Sequence, residues 1–308
     1  MHELWTEKYR PKTINEYVFK DSHQKDQILK WIKEKTIPEL IFSGGPGTGK
    51  TTLAKVLFNE LDINPLDVLE INASRTNSID DVRNKIVNFI QMIPFGDFKV
   101  VLLDESDFLS IQSQAALRGL LEEYHSTARF IFTANYPNKI IPALHSRCQG
   151  FHIEKLDLTE YTARVAEILI NENIEFDLDT LDTFVRAAYP DLRKCINNVQ
   201  MNSLKGTLVI PDTKSSNSTD YKITMVELFK EGQINDARKL ICSQIRPDEI
   251  EEIYRWLYSN LNYLGTSEQQ QENAILIIKQ GMVDHVLCID PEVNLSATLI
   301  RLARNATS

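Results

Sequence analysis

ELIFSGGPGTGKTT, residues Glu39 to Thr52, sets an apolar run of strand type directly before a glycine-rich turn and the start of an amphipathic helix. Its centre, Gly44 to Thr51, has the spacing G-x-x-x-x-G-K-[ST] in the context that gives that spacing meaning. Each residue type has a physical reason. Gly45, Pro46, Gly47, Thr48 and Gly49 form a turn whose backbone N–H groups come close to phosphate, since glycine has no Cβ to stand in the way. The helix that begins at Lys50 adds partial positive charge at its N-terminus. Lys50 supplies a full charge, and the hydroxyl of Thr51, with Thr52 beside it, stands where a Mg²⁺ ion on the phosphates can be ligated.

The same alternation continues outward. Val68–Asn72, Lys99–Asp104, Arg129–Thr133 and Gly150–Ile153 are expected as further strands, with helices over 50–61, 79–93 and 112–124 between them. Short connections and strands rich in Ile, Val, Leu and Phe predict an α/β fold with a parallel sheet covered on both faces. KVVLLDES, Lys99 to Ser106, ends its apolar run in two acids at the strand's C-terminal edge, where an open α/β sheet has its ligand crevice. Asp104 is then a candidate for the Mg²⁺ shell and Glu105 for the general base that polarises a water, which makes the chain an NTPase. RFIFTANYPNKI puts Asn135 at the same edge, either as a turn asparagine or as a residue that orients the water. Arg147, in HSRCQG, is either a surface arginine or one that reaches a neighbouring subunit's γ-phosphate.

The chain has 308 residues with a formal charge of −9. Residues 1–150 hold 18 basic against 19 acidic side chains, so the acid surplus lies in the second half. An acidic total therefore does not exclude nucleic acid; it implies weak, salt-sensitive contact by each isolated copy. No run of about 18 apolar residues is present to span a membrane, and the charged opening lacks the apolar stretch of a secretion signal, so an intracellular, cytoplasmic location is expected. Cys148, Cys195, Cys242 and Cys288 form no close pair of the metal or redox kind, and their flanks share no repeat. After Glu154 the apolar spacing turns helical with no further strand, and Thr207 to Lys222 reads as a linker. The expected division is an α/β domain over 1–154, a small helical domain over 155–206 and a helical C-terminal domain over 207–308.

With these elements in order, the chain resembles the AAA+ ATPases, and more narrowly the ATPase subunits of sliding-clamp loaders. WTEKYRPKTINEYV (Trp5 to Val18) is similar to the opening of the replication factor C small subunits and of tailed-phage clamp-loader ATPases. GGPGTGKTT, LLDESD, FTANY, HSRC and YPDLRKCINNVQ (Tyr189 to Gln200) follow at the family's spacings. The compact chain and its DESD box look nearer the phage type. The resemblance implies ATP and Mg²⁺ as ligands, with Thr6, Glu7, Lys8, Tyr9 and Val18 around the adenine. It makes the three domains an ATPase domain over 1–154, a helical lid over 155–206 and a helical collar over 207–308. It also implies Asn135 as first sensor, Arg147 as trans-acting arginine finger and Arg193 as second sensor on the lid. It implies an ATP-driven machine that holds a ring-shaped clamp open on primer-template DNA and releases it on hydrolysis. Five positions form its arc, with at least one different subunit among them. A non-hydrolysing subunit of such a loader, or another AAA+ motor such as a helicase loader, is the alternative.

Sequence-independent DNA binding needs only phosphate contacts from helix starts and a few polar side chains. Two helix starts qualify. Arg75, Ser78 and Arg83 lie in RTNSIDDVR, where Asp80 and Asp81 oppose phosphate, so a capped surface helix is the rival. The other, Ser110 to Gln114, offers Ser113, and the resemblance implies that Gln114 couples DNA to the acid box. Ile93, Pro94 and Phe95, after Met92, are either a loop tucked onto the core or an apolar patch that docks in the clamp.

Overall fold

Five short runs pair into one parallel sheet: Leu40–Ser43 (β1), Val68–Asn72 (β2), Lys99–Asp104 (β3), Ala128–Ala134 (β4) and Gln149–His152 (β5). The computed structural model describes residues 3–75, 79–153, 156–204, 206–211 and 221–307. The strand order is β2-β3-β4-β1-β5, with Leu40 opposite both Ile131 and Gln149 and Leu102 opposite Ile131. Because β4 lies between β1 and β3, the chain leaving β4 emerges between the phosphate loop and the acid pair. Every expected strand forms, within a residue or so at each end.

The central strands are buried on both faces, as a parallel sheet requires. On one face Ile41, Val101, Leu103 and Phe132 pack with Val82 and Ile86 of Ile79–Ile90 and Leu117 and Leu121 of Ile111–Glu123. No helix is expected from the motifs before the phosphate loop, yet two form. Trp5–Lys8 (α1) is a single turn, and Ser22–Glu34 (α2) is capped by Asp21, whose carboxylate accepts the Gln24 N–H at 2.9 Å. The signal for α2 was local: an Asx cap followed by Ile28 and Trp31, both buried. Lys50–Glu60 follows as α3, Ile79–Ile90 as α4, Ile111–Glu123 as α5, Pro142–His145 as α6 and Leu158–Asn171 as α7.

The helix expected to reach Ile93 stops at Ile90, because the buried Asp67 carboxylate captures the N–H groups of Phe95 and Gly96 at 2.9 and 2.8 Å. Asp67 is also ion-paired with the equally buried Lys99 at 3.3 Å.

The chain divides into two compact units, Met1–Asn173 with Tyr189–Gln200, and Ile174–Ala188 with Met201–Ser308. The second unit holds Leu178–Ala188 (α8), the end of Leu192–Asn202 (α9), and Tyr221–Lys230, Ile234–Gln244, Ile250–Ser259, Glu268–Leu287 and Pro291–Thr307 (α10 to α14). Two departures from expectation occur here. Ser203–Leu204 (β6) and Thr207–Leu208 (β7) pair as a short antiparallel ladder where no strand is expected, because Gly206, at φ +85°, lets the chain reverse tightly. The stretch read as a linker ends earlier than expected: helix α10 begins at Tyr221, and buried Lys222 is ion-paired with Glu252 at 2.5 Å. Within the unit, α13 and α14 approach so closely at Gly281 that a Cβ there would stand 2.5 Å from the Thr298 hydroxyl. Among the described residues no helix is long and apolar enough to cross a membrane.

Candidate active site

The glycine-rich turn leaves β1 and ends as the N-terminus of α3. Gly47 and Gly49 both take φ values open to glycine, +68° and +92°, and Gly49 is the N-cap of α3. A Cβ on Gly47 would stand 1.7 Å from Asp191 Oδ1, so the turn is close to the segment that begins α9. Thr48 closes the turn through a hydrogen bond from its hydroxyl to the Gly45 carbonyl at 2.9 Å.

Lys50 is 8% exposed, and its ammonium donates to the carbonyls of Gly44 and Gly45 at 2.9 and 2.6 Å. Burial pulls its pKa down to about 8, against the nearby Asp104 and Asp107 carboxylates. Thr51 donates to Asp104 Oδ1 at 2.7 Å, so the first residue of the acid pair and the hydroxyl of the phosphate loop meet directly. A hydroxyl and a carboxylate that close together are the hard oxygen donors Mg²⁺ takes, and a buried ammonium bonded only to carbonyls of its own loop suits a polyphosphate. The residues present therefore fit both groups. Among the described residues, no cluster of three or more His, Cys, Asp or Glu forms an all-protein metal cage.

Glu105 follows β3 in the left-handed region, at φ 57° and ψ 43°, and its N–H donates to the buried Thr133 hydroxyl at 3.0 Å. Asn135 is half-buried just after β4. Asp107, 6% exposed, accepts the N–H of Tyr136 at 3.2 Å and so ties the residue after Asn135 to the acid box.

A cavity beside the turn is lined by Thr6, Tyr9, Val18, Gly47, Thr48, Gly49, Thr52 and Arg193, all expected around a nucleotide. Glu7 and Lys8 are not among its lining residues: Glu7 accepts from Arg10 at 2.7 Å, and Lys8 donates to Glu172 at 2.7 Å. Tyr9 donates to the same Glu172 oxygen at 2.8 Å, and Arg164 of α7 donates to the Tyr9 carbonyl at 3.0 Å, which straps the N-terminal segment down. Pro46 and Gly45 complete the turn.

Arg193 stands in the first turn of α9. Asp191 caps that helix by accepting the Lys194 N–H at 2.8 Å, and burial raises the Asp191 pKa. Arg147 is elsewhere: its guanidinium donates to the Ala143 carbonyl at 3.2 Å and to Glu122 of α5, and none of its hydrogen bonds reaches the phosphate loop or the acid pair.

Of the residues expected on DNA, Arg75 and Arg83 are exposed, and Ser78 lies outside the described residues. Ser113 and Gln114 are 3% and 1% exposed. Ser113 serves the α5 cap through Ser110, and the Gln114 amide donates to the Leu109 and Lys139 carbonyls while its oxygen accepts the Ile141 N–H. Both side chains are thus spent on internal bonds. Ile93 and Phe95 are 89% and 72% exposed, and Pro94 between them is half-buried, so the loop is not tucked onto the core.

Sequence reasoning missed Tyr17, Thr133, Asp107, Arg164 and Asp191. All but Arg164 lay in stretches already singled out: Asp107 ends the DESD box and Thr133 belongs to FTANY. Tyr17 precedes Val18 in the segment already singled out, and Asp191 is an Asx cap two residues before Arg193.

Comparison with known proteins comes down on one family. Residues 40–155 match the model of the ATPase family associated with various cellular activities (AAA). The chain is 41% identical to a replication factor C small subunit of Sulfurisphaera tokodaii, covering 97% of this chain and 95% of that one. It is 34% identical to that of Sulfolobus acidocaldarius, over 98% and 96% of the two chains. Against that of Methanococcus vannielii it is 31% identical, over 98% and 99%. Among solved structures, a RuvB mutant of Thermotoga maritima has a TM-score of 0.52 at 16% identity, over 62% of this chain and 64% of that one, which shows a shared fold.

Proposed function

The chain belongs to the replication factor C small subunit family of AAA ATPases, and from that premise we infer how its site works. It is a clamp-loader subunit of DNA replication; it binds nucleotide and is an ATPase. The finer proposal is that clamp and primer-template DNA stimulate its hydrolysis, and that the chain acts in a five-position arc with at least one different subunit. Residues 1–154 serve as the ATPase domain, 155–206 as a lid and 207–308 as the collar that holds the arc together.

The observation that carries this mechanism is the meeting of Lys50, Thr51, Asp104 and Glu105 at one crevice, with Asn135 leaving the strand between them. Lys50 exchanges its loop carbonyls for phosphate oxygens, which suit a buried ammonium better. Thr51 and Asp104 would hold Mg²⁺, which would supply neutralisation of phosphate charge. Glu105 accepts a proton from the attacking water, and Asn135 orients that water. Arg193 follows the γ-phosphate from α9. Arg147, held away from its own chain's crevice, acts on the neighbour's.

Outside the crevice, Arg75 and Arg83 lie on the DNA-facing side and the loop from Ile93 to Phe95 contacts the clamp. Weak DNA contact by each acidic copy becomes useful only when several are assembled on one duplex. Replacing Arg147 with Ala in the assembled loader should leave ATP affinity within about twofold while lowering stimulated hydrolysis by on the order of 10³-fold. Normal stimulated turnover would refute the trans assignment. A steady-state ATPase measurement with and without clamp and primed DNA tests the proposed stimulation. Lys50, Thr51, Asp104 and Glu105, all in place, favour the enzyme.

A further inference from the structure

Glu122 lies in the last turn of α5, about half exposed, and two arginines converge on one of its oxygens. Arg118, one turn earlier, approaches Oε1 with its Nε at 3.3 Å. Arg147 donates to the same oxygen from the segment after α6. The other edge of the Arg147 guanidinium donates to the Ala143 carbonyl at 3.2 Å. The group is therefore held on two sides, by a carboxylate on one helix and a backbone carbonyl on the next. The Arg118 hydrogen bond first, and then that of Arg147, keeps the Glu122 carboxyl below the usual carboxylate range, so the acceptor is ionised at neutral pH.

The α5 helix reaches this segment at two levels. Near its start, buried Gln114 accepts the N–H of Ile141, the residue before α6, at 2.8 Å; near its end, Glu122 takes the guanidinium itself. Exposed ion pairs contribute little to stability, so stability is a poor reason for this arrangement. Geometry is a better one. A free arginine samples many rotamers, whereas a group that stabilises charge in another subunit's site must arrive in one direction, and a displacement of about 1 Å costs on the order of 10²-fold in rate.

We propose that Glu122 is a positioning residue for Arg147, fixing the guanidinium on the subunit face so that it meets the neighbouring site already oriented. This rests on Arg147 acting in trans. Two guanidiniums on one carboxylate also leave this three-residue cluster net positive, which suits a polyphosphate opposite.

The test uses the full chain in the complete clamp loader, with clamp and primed DNA. Glu122→Ala should lower the stimulated kcat by about tenfold or more. KM for ATP and Tm should stay unchanged, because the variant's own nucleotide site is intact. Glu122→Gln keeps an oxygen acceptor without the charge and should recover part of the loss. Wild-type or faster turnover by Glu122→Ala would overturn the proposal, the faster result meaning that Glu122 restrains the arginine instead of presenting it. So would a raised KM or a lowered Tm that accounts for the loss. Arg147→Ala run alongside separates the two levels. If it turns over normally, the trans assignment fails; if it is inactive while Glu122→Ala is normal, only the role of Glu122 fails.

Discussion

The Thr133 hydroxyl donates to Asp104 Oδ1 at 2.6 Å and accepts the Glu105 N–H at 3.0 Å, so one buried side chain of β4 holds both members of the acid pair. Thr51 donates to the same Asp104 oxygen at 2.7 Å. Replacing Thr133 with Val keeps the shape and removes the hydroxyl, leaving the Glu105 N–H without its acceptor. A loss of about 1–3 kcal/mol in stability is expected. Stimulated kcat should fall about tenfold with nucleotide affinity changed by less than threefold, since the left-handed conformation of Glu105 loses its anchor. Denaturant unfolding and steady-state ATPase assays check the two parts.

The lowered pKa of Lys50, about 8 in the free chain, links nucleotide binding to protons. A bound phosphate raises that pKa, so above about pH 8 binding takes up a proton and affinity falls as pH rises. Calorimetry at pH 9 in buffers of different ionisation enthalpy should show uptake approaching about one proton. A binding enthalpy independent of the buffer at that pH would contradict the linkage.

Ile93 and Phe95 stand out on a loop whose backbone is pinned by the buried Asp67, with Phe95 N–H to Oδ2 at 2.9 Å. A rigid apolar tip loses little entropy on docking. Ile93→Ala and Phe95→Ala should each weaken clamp binding by about tenfold, seen as faster dissociation, with folding intact. Unchanged affinity in both variants sinks the clamp contact.

Burial raises the pKa of Glu39 to about 7, against the Phe130 N–H, Arg129 and His125. The sign is opposite to that of a salt-bridged acid: the folded chain holds this proton more tightly than the unfolded one. Stability contributed here is present below about pH 4.5 and lost as pH rises through 7. Glu39→Gln keeps an acceptor for the Phe130 N–H and removes the charge. It should raise Tm by roughly 2–4 °C at pH 8 and leave it unchanged near pH 4.5. A thermal melt at the two pH values decides.

Motifs confined to one short stretch are legible in the residues alone. The phosphate loop, the acid pair at the end of Lys99–Asp104 and the strands themselves follow from local spacing, because a turn, a strand end and a helix start are each written within about ten residues. Helix α2 escaped notice although its cap and apolar spacing are equally local, and the ladder of β6 and β7 is too short to announce itself.

Strand order was a different matter. Nothing in the spacing says that β4 lies between β1 and β3, yet that order sets Thr133 against Asp104 and Asn135 between phosphate loop and acids. Ser113 and Gln114 read as surface residues of a helix start, and only packing turned them inward. Glu122 and Arg147 are 25 residues apart, and neither type nor spacing marks them as partners. By itself the sequence determined the chemistry available, since residue type and local backbone set what each group can donate, accept or coordinate. The tertiary structure alone decided which of those groups share an atom, because hydrogen bonds between distant segments depend on strand order and helix packing, which no local pattern encodes.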